Sequence, residues 1–259
     1  MNEQRVTAYI VDWLKNKLKD SSQRGFVVGV SGGVDSAVTS TLCALTSYPV
    51  AVVSLPLIQE KKQLVRSLNH MNWLTERFTN VKDYEVDLSN TFFAMQGVLP
   101  TEASDPLSMA NLKSRLRMCA LYAFANSNQF LVAGTGNKVE DYGIGFFTKY
   151  GDGGVDISPI ADLLKSEVYS LAKYLEVDDK IITAPPTDGL WPDNRTDEQQ
   201  IGATYSQLEW ALKFNDSGEP DDQLNDQQKE VLSLYRTRHK SNSHKMEFAP
   251  TCEVPQEIK

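Results

Sequence analysis

The apolar run Phe26-Val27-Val28-Gly29-Val30 passes directly into Ser31-Gly32-Gly33-Val34-Asp35-Ser36, and then into Ala37 to Leu45, a stretch with few polar residues. The short β-branched run predicts a buried strand, and the longer apolar stretch predicts a buried helix. Few local sequences constrain a fold so tightly as a strand joined to a helix through two glycines. Paired glycines let the backbone turn sharply and bring N–H groups against a ligand, and the helix N-terminus adds partial positive charge, so the junction suits phosphate. Ser31 and Ser36 add hydroxyl donors. Asp35 would repel such a ligand unless a cation lay between them, and Mg²⁺ held by carboxylate and phosphate oxygens resolves the conflict. The competing reading is a surface Gly-Gly turn with Asp35 at the helix start. Five fixed residues, each used at about 5–8%, arise by chance in roughly one chain of this length in several thousand.

The same alternation continues on both sides of the junction. Val6, Tyr9, Ile10, Trp13, Leu14 and Leu18 recur at helical spacing, Val50 to Leu55 reads as a strand, and Leu64, Leu68, Met71, Leu74 and Phe78 mark a helix. Tyr84 to Leu88 is expected as a strand, a long helix is centred on Leu112 to Phe124, and Phe130 to Gly134 is another strand. Helices alternating with strands predict an α/β fold, a Rossmann-like parallel sheet with helices on both faces. Beyond residue 134 a glycine-rich, aromatic stretch reads as an ordered loop, followed by a helix through Leu163, Val168, Leu171, Ala172 and Leu175. Two loops are expected at 184–196 and 216–226, with helices near Glu198 to Lys213 and Asp226 to Arg238. The 259 residues are expected to form one domain, 1–259.

Charge narrows the function classes. With 34 acidic and 26 basic residues the formal charge is −8, which disfavours general nucleic-acid coating. The longest apolar run, Tyr48 to Ile58, is broken by Pro49, Ser54 and Pro56 and predicts no membrane segment. The N-terminus lacks the basic-then-apolar pattern of a secretion signal, so a cytoplasmic protein is expected. Cys43, Cys119 and Cys252 form no C-x-x-C pair and read as reduced thiols, the first two in the core. His70 has no ligand-spaced partner and is expected on a helix surface.

The Ser-Gly-Gly-x-Asp-Ser signature resembles the pyrophosphate-releasing loop of the N-type ATP pyrophosphatases, which split ATP between its α- and β-phosphates. A Walker loop is absent at this site. Asn111 to Met118, Leu131 to Glu140, Gly145 to Asp156, Pro159 to Lys165, Pro186-Thr187 and His244-Lys245 are similar to blocks of the NAD synthetase family, in that family's order. The resemblance implies an adenine nucleotide alpha hydrolase type of fold, and ATP-dependent amidation of deamido-NAD with ammonia through an adenylate. It assigns ATP to Gly29, Val30, Ser31, Gly32, Gly33, Val34, Asp35, Ser36, Thr135, Lys165 and Thr187, with Lys165 near the α-phosphate. Mg²⁺ falls to Asp35 and Glu140. Deamido-NAD falls to Arg115, Lys149, Asp156, His244 and Lys245. Arg115 and Arg117 lie about 200° apart on a helix and are not expected to serve one site equally.

A homodimer is implied, and ammonia is the expected nitrogen donor because the chain has no room for a glutaminase domain. The two loops are expected to close over an intermediate that water would destroy. The segment Ser54 to Gln59 keeps a proline but lacks that family's Pro-Tyr step, which leaves its adenosine contacts unassigned. Other readings are a different pyrophosphatase-loop enzyme, such as a tRNA-modifying ligase, or a non-catalytic adenine-nucleotide sensor. The acidic surface speaks against the first, and the presence of both Asp35 and Glu140 against the second.

Overall fold

In a computed structural model that describes residues 1–58 and 60–259, helices and strands alternate through the first half of the chain. The order is α1 (Glu3–Ser21), β1 (Gly25–Gly29), α2 (Val34–Ala44), β2 (Val50–Ser54), α3 (Lys61–Arg77), β3 (Val81–Glu85), α4 (Ser89–Val98), α5 (Pro106–Asn128) and β4 (Phe130–Val132). A π-helical turn at Val139–Ile144 follows, then α6 (Lys165–Tyr174), α7 (Asp179–Ile182), α8 (Asp197–Ile201), α9 (Tyr205–Ser217) and α10 (Asp226–Met246). Among the described residues no helix is long and apolar enough to cross a membrane.

The strands form one parallel sheet in the order β3-β2-β1-β4, with Phe26 opposite Val50 and Leu131, and Val50 opposite Val81. Side chains alternate across a strand, so β1 feeds two cores. Phe26 and Val28 pack with Leu14, Val38, Leu42, Met71 and Leu171 on one face, while Val27 packs with Val53, Phe92, Met109 and Ala125 on the other. A third cluster ties the π-helical turn to α9 and α10 through Val139, Ile144, Leu208, Leu212, Leu232 and Tyr235. The chain runs outward from β1 to β2 and β3, then returns to add β4 on the other side of β1. Strand order therefore reverses beside β1, and the carboxyl ends of β1 and β4 open a crevice there.

Several local expectations change. The strand expected at Tyr84 to Leu88 lies at Val81–Glu85, because pairing with β2 sets its register and its outer position leaves Lys82 to Glu85 exposed. Val86 and Leu88 continue the pairing singly, donating to the carbonyls of Ser54 and Pro56 at 2.9 and 3.0 Å. Helix α4 carries only one buried side chain, Phe92, and so lacks an apolar periodicity to announce it.

His70 is buried, not on the surface: its Nε2 lies 3.0 Å from Ser40 Oγ and its ring stacks on Trp73. The inward row of α3 is Gln63, Ser67, His70, Met71 and Leu74, which admits polar residues because Ser67 finds partners at Val30, just past β1, and at Ser54 on β2, and His70 finds one on α2. Cys43 is buried as expected, whereas Cys119 is exposed on α5. Of the segment from Ser54 to Gln59, Gln59 lies outside the described residues.

Candidate active site

The junction after β1 forms the floor of a cleft of about 760 Å³ lined by residues from Gly29 to Lys245. Gly32 has φ +84°, and a Cβ there would lie 2.4 Å from the Gln63 carbonyl oxygen and 3.0 Å from Ser67 N, so only glycine fits. The two serines shape the turn. Ser31 N donates to Ser36 Oγ at 3.1 Å, Gly33 N to Ser31 Oγ at 3.2 Å, and Ser36 Oγ to the Gly33 carbonyl at 3.0 Å. Helix α3 braces the loop from outside: Ser67 Oγ donates to the Val30 carbonyl at 2.7 Å and Arg66 Nε to the Gly32 carbonyl at 3.2 Å.

Beside the loop, three expected site residues meet. Lys165, at the start of α6 and 2% exposed, places its Nζ 2.7 Å from Asp35 Oδ2 and 2.9 Å from Glu140 Oε1. Asn137 links the Asp35 carboxylate to the Glu140 backbone, donating from Nδ2 to Asp35 Oδ1 at 3.2 Å and accepting at Oδ1 from Glu140 N at 3.2 Å. Tyr205 closes the cluster, its hydroxyl donating to Glu140 Oε1 at 2.5 Å and its ring lying 4.6 Å from Lys165 Nζ.

Electrostatics follow from burial and partnership. Burial pushes the Asp35 carboxyl up, partly countered by the Lys165 ammonium. Glu140 is subject to the same burial, but Lys165 and the hydrogen bonds from Tyr205, Lys165 and Asn137 bring it below its usual range. Burial alone would favour neutral Lys165, yet its two carboxylates raise its pKa and keep it charged. Asp197, buried beside Tyr205, is pushed up to about 8 by burial and then by Glu140. The donor chemistry fits a hard divalent cation, because two carboxylates converge on the position of the Lys165 ammonium beside the glycine-rich loop.

The remaining expected residues divide. Gly29 to Ser36, Thr135 and Thr187 all line the cleft, with Thr187 Oγ1 donating to the Arg195 carbonyl at 3.0 Å. Lys149, His244 and Lys245 line its far end; Lys149 Nζ donates to the carbonyls of His244 and Glu247, and Lys245 Nζ to those of Gly145 and Phe147. Arg115 is exposed at the rim. Arg117 also lines the cleft, deeper, with Nε donating to the Leu55 carbonyl at 3.1 Å and burial pushing its pKa down to about 10. The helical angle between the two arginines thus separates depth within one cleft.

Asp156 does not line the cleft. It is exposed beside β4, its carboxylate accepting from Tyr122 OH at 3.0 Å and Val132 N at 2.8 Å. Segment 184–196 borders the cleft through Pro186, Thr187, Leu190, Trp191 and Arg195. Segment 216–226 does not, because Asp221 is paired with Arg236 at 2.5 Å on the outer side of α10. Asn137, Tyr205, Asp197, Gln63 and Arg66 were not foreseen as site residues. Only Asn137 had a signal, within the glycine-threonine-glycine stretch that ends β4.

Comparison with known proteins gives a consistent result. The family model described as NAD synthase matches residues 6–249. The NH(3)-dependent NAD(+) synthetase of Syntrophomonas wolfei is 37% identical over the whole of both chains. Among solved structures, the NMN synthetase of Francisella tularensis is 30% identical with TM-score 0.86, covering 98% of this chain and 100% of that one. The NH3-dependent NAD synthetase of Campylobacter jejuni, solved with nitrate ion, is 27% identical with TM-score 0.79 over the same shares.

Proposed function

The chain belongs to the NAD synthase family and amidates deamido-NAD with ammonia at the expense of ATP, and we propose that the cleft above the phosphate loop is where it does so. Its fold is the Rossmann-like adenine nucleotide alpha hydrolase type. The observation that carries the proposal is the meeting of Asp35, Glu140 and Lys165 beside the loop.

A carboxylate is a poor electrophile, so the nicotinic acid group must first be adenylated. Its oxygen attacks the α-phosphorus, the bond to the bridging oxygen breaks, and pyrophosphate leaves with the electron pair. Gly29, Val30, Ser31, Gly32, Gly33, Val34 and Ser36 hold the phosphates through backbone N–H groups and hydroxyls, while Thr135 and Thr187 contact ATP. Lys165 stabilises charge at the α-phosphate. Asp35 and Glu140 would hold Mg²⁺, which when bound screens the phosphate charge. With a divalent cation bound, Asp35 and Glu140 would rely less on Lys165, whose ammonium lies between them beside the loop. Ammonia attacks the acyl carbon, AMP leaves, and the surplus proton is lost.

Arg115, Lys149, His244 and Lys245 bind deamido-NAD, their positions at the rim and far end suiting an extended dinucleotide. Asp156, exposed beside β4, is assigned to the same substrate from outside the cleft lining. Segment 184–196 acts as the lid. The chain works as one domain, 1–259, since a single cleft draws on residues from 29 to 245. We also propose a cytoplasmic homodimer. Three free cysteines suit a reducing compartment, and the exposed Tyr84, Phe93, Met95, Val98 and Leu107 on β3, α4 and α5 offer an apolar face for a second copy.

The decisive assay follows product from deamido-NAD, ATP and Mg²⁺ with ammonium or glutamine, with AMP and pyrophosphate quantified. NAD from ammonium, matched one-for-one by AMP, is expected; pyrophosphate released without amide would sink the proposal. The likeness to the Francisella NMN synthetase favours one second reading, in which the amide forms on a mononucleotide. The same assay with nicotinic acid mononucleotide separates the two by relative kcat/KM.

A further inference from the structure

Eight Lys and Arg side chains line the cleft among the described residues, and most are engaged away from the phosphate loop. Lys165 lies between Asp35 and Glu140, Lys149 and Lys245 donate to backbone carbonyls, and Arg238 donates to the carbonyls of Gln200 and Ile201. Arg195 is paired with Asp193 at 2.6 Å. Arg115 approaches the Lys149 carbonyl and Arg117 the Leu55 carbonyl. Arg66 touches the loop itself, through the 3.2 Å bond from Nε to the Gly32 carbonyl oxygen.

That bond uses one of the five N–H donors of a guanidinium. The Nη1 and Nη2 groups of Arg66 make no hydrogen bond or ion pair to any described residue, and the side chain is half-buried on the cleft wall beside Ser31, Gly32 and Gly33. Its turn of α3 runs close to the loop: a Cβ at Gly32 would lie 2.4 Å from the Gln63 carbonyl oxygen and 3.3 Å from Arg66 Cβ. A planar fork anchored by one N–H and carrying four free donors matches the bidentate geometry of phosphate oxygens.

We propose that Arg66 is a catalytic residue that binds the β- and γ-phosphates of ATP and stabilises pyrophosphate as it leaves. The assignment rests on the reading of residues 29–36 as the ATP loop. When the acceptor oxygen bonds to the α-phosphorus, the bond to the α,β-bridging oxygen breaks and its electron pair passes to pyrophosphate. The charge that grows there is what a preorganised guanidinium stabilises.

The test is calorimetric titration of the full chain, and of Arg66→Gln and Arg66→Lys, with inorganic pyrophosphate and separately with AMP, both with Mg²⁺, alongside kcat for NAD formation. Arg66→Gln is expected to weaken pyrophosphate binding by roughly tenfold or more while AMP affinity stays within about twofold. Its kcat is expected to fall roughly 10²-fold. Arg66→Lys keeps the charge without the fork and is expected to fall between, again with pyrophosphate affected more than AMP, so the inference does not hang on one variant folding. Equal losses for both ligands would make Arg66 a brace for Gly32 and overturn the assignment, as would unchanged pyrophosphate affinity. A wild-type chain that binds neither AMP nor pyrophosphate would overturn the reading of the loop along with it.

Discussion

Lys165 and Asp35 lie 130 residues apart, yet their side chains meet at 2.7 Å in a buried pocket that also takes in Glu140. Two buried carboxylates around one ammonium leave net negative charge, which is costly without a further cation and explains why burial raises Asp35. Asp35→Asn relieves that burial cost while keeping the shape, so the variant should melt no lower than wild type and lose at least roughly 10²-fold in kcat. Wild-type turnover in that variant would remove Asp35 from the metal site. His70 provides an independent residue-level test. Burial pushes its pKa down from 6.5 to about 4, so the folded state keeps it neutral while the unfolded chain binds a proton below pH 6.5. Stability from this group is full above 6.5 and is lost as pH falls toward 4, by about 3 kcal/mol at most. Urea midpoints at pH 7.5 and 4.5 should converge in His70→Gln relative to wild type; an identical pH difference in both would refute this.

The loop between β1 and α2 keeps its conformation because α3 lies against it. Gly32→Ala introduces a Cβ 2.4 Å from the Gln63 carbonyl oxygen at a φ of +84°. The substitution should cost roughly 2 kcal/mol or more and abolish ATP binding. Ser67→Ala removes the 2.7 Å bond to the Val30 carbonyl and the 3.2 Å bond to Ser54 Oγ, and about 1 kcal/mol is expected in urea denaturation, with ATP affinity lowered mildly. Comparable effects from both changes would show that α3 supports the loop less directly than the contacts imply. On the inward face of α3, Met71 and Leu74 are buried as their spacing implies, but Gln63, Ser67 and His70 take the places next to Leu64 and Leu68 because tertiary partners satisfy Ser67 and His70. The strand β3 was displaced for a related reason: its pairing with β2, not its own hydrophobicity, sets its limits.

Across the assembled chain, the bordering of the cleft by segment 184–196 predicts protection from limited proteolysis when ATP and deamido-NAD are both present. Cleavage within 216–226 should be unaffected, since that segment is tied to α10 by the Asp221–Arg236 pair. Loss of protection at the first segment would discard its role as a lid. Sedimentation tests the apolar face on β3, α4 and α5: a dimer that separates on Val98→Glu is expected, and a monomeric wild type with full activity would exclude the homodimer. These outcomes depend on which surfaces meet, which no local pattern specifies.

The strand-glycine-helix junction with Asp35 and the α/β alternation are legible in local chemistry, glycine at a turn and side-chain periodicity, whereas Glu140 and Lys165 are singled out only by the resemblance in motif order along the chain. Their arrangement is legible in neither. Periodicity assigns a residue to a face of a helix or strand but does not name its partner, so the burial of His70, the exposure of Cys119 and the bonding of Asp156 to Tyr122 and Val132 awaited the packed sheet. Tyr205, Asp197 and Arg66 belong to the same class. Their roles arise where sheet order and helix packing exclude water, and in that dry setting short distances between remote charges decide which groups act together.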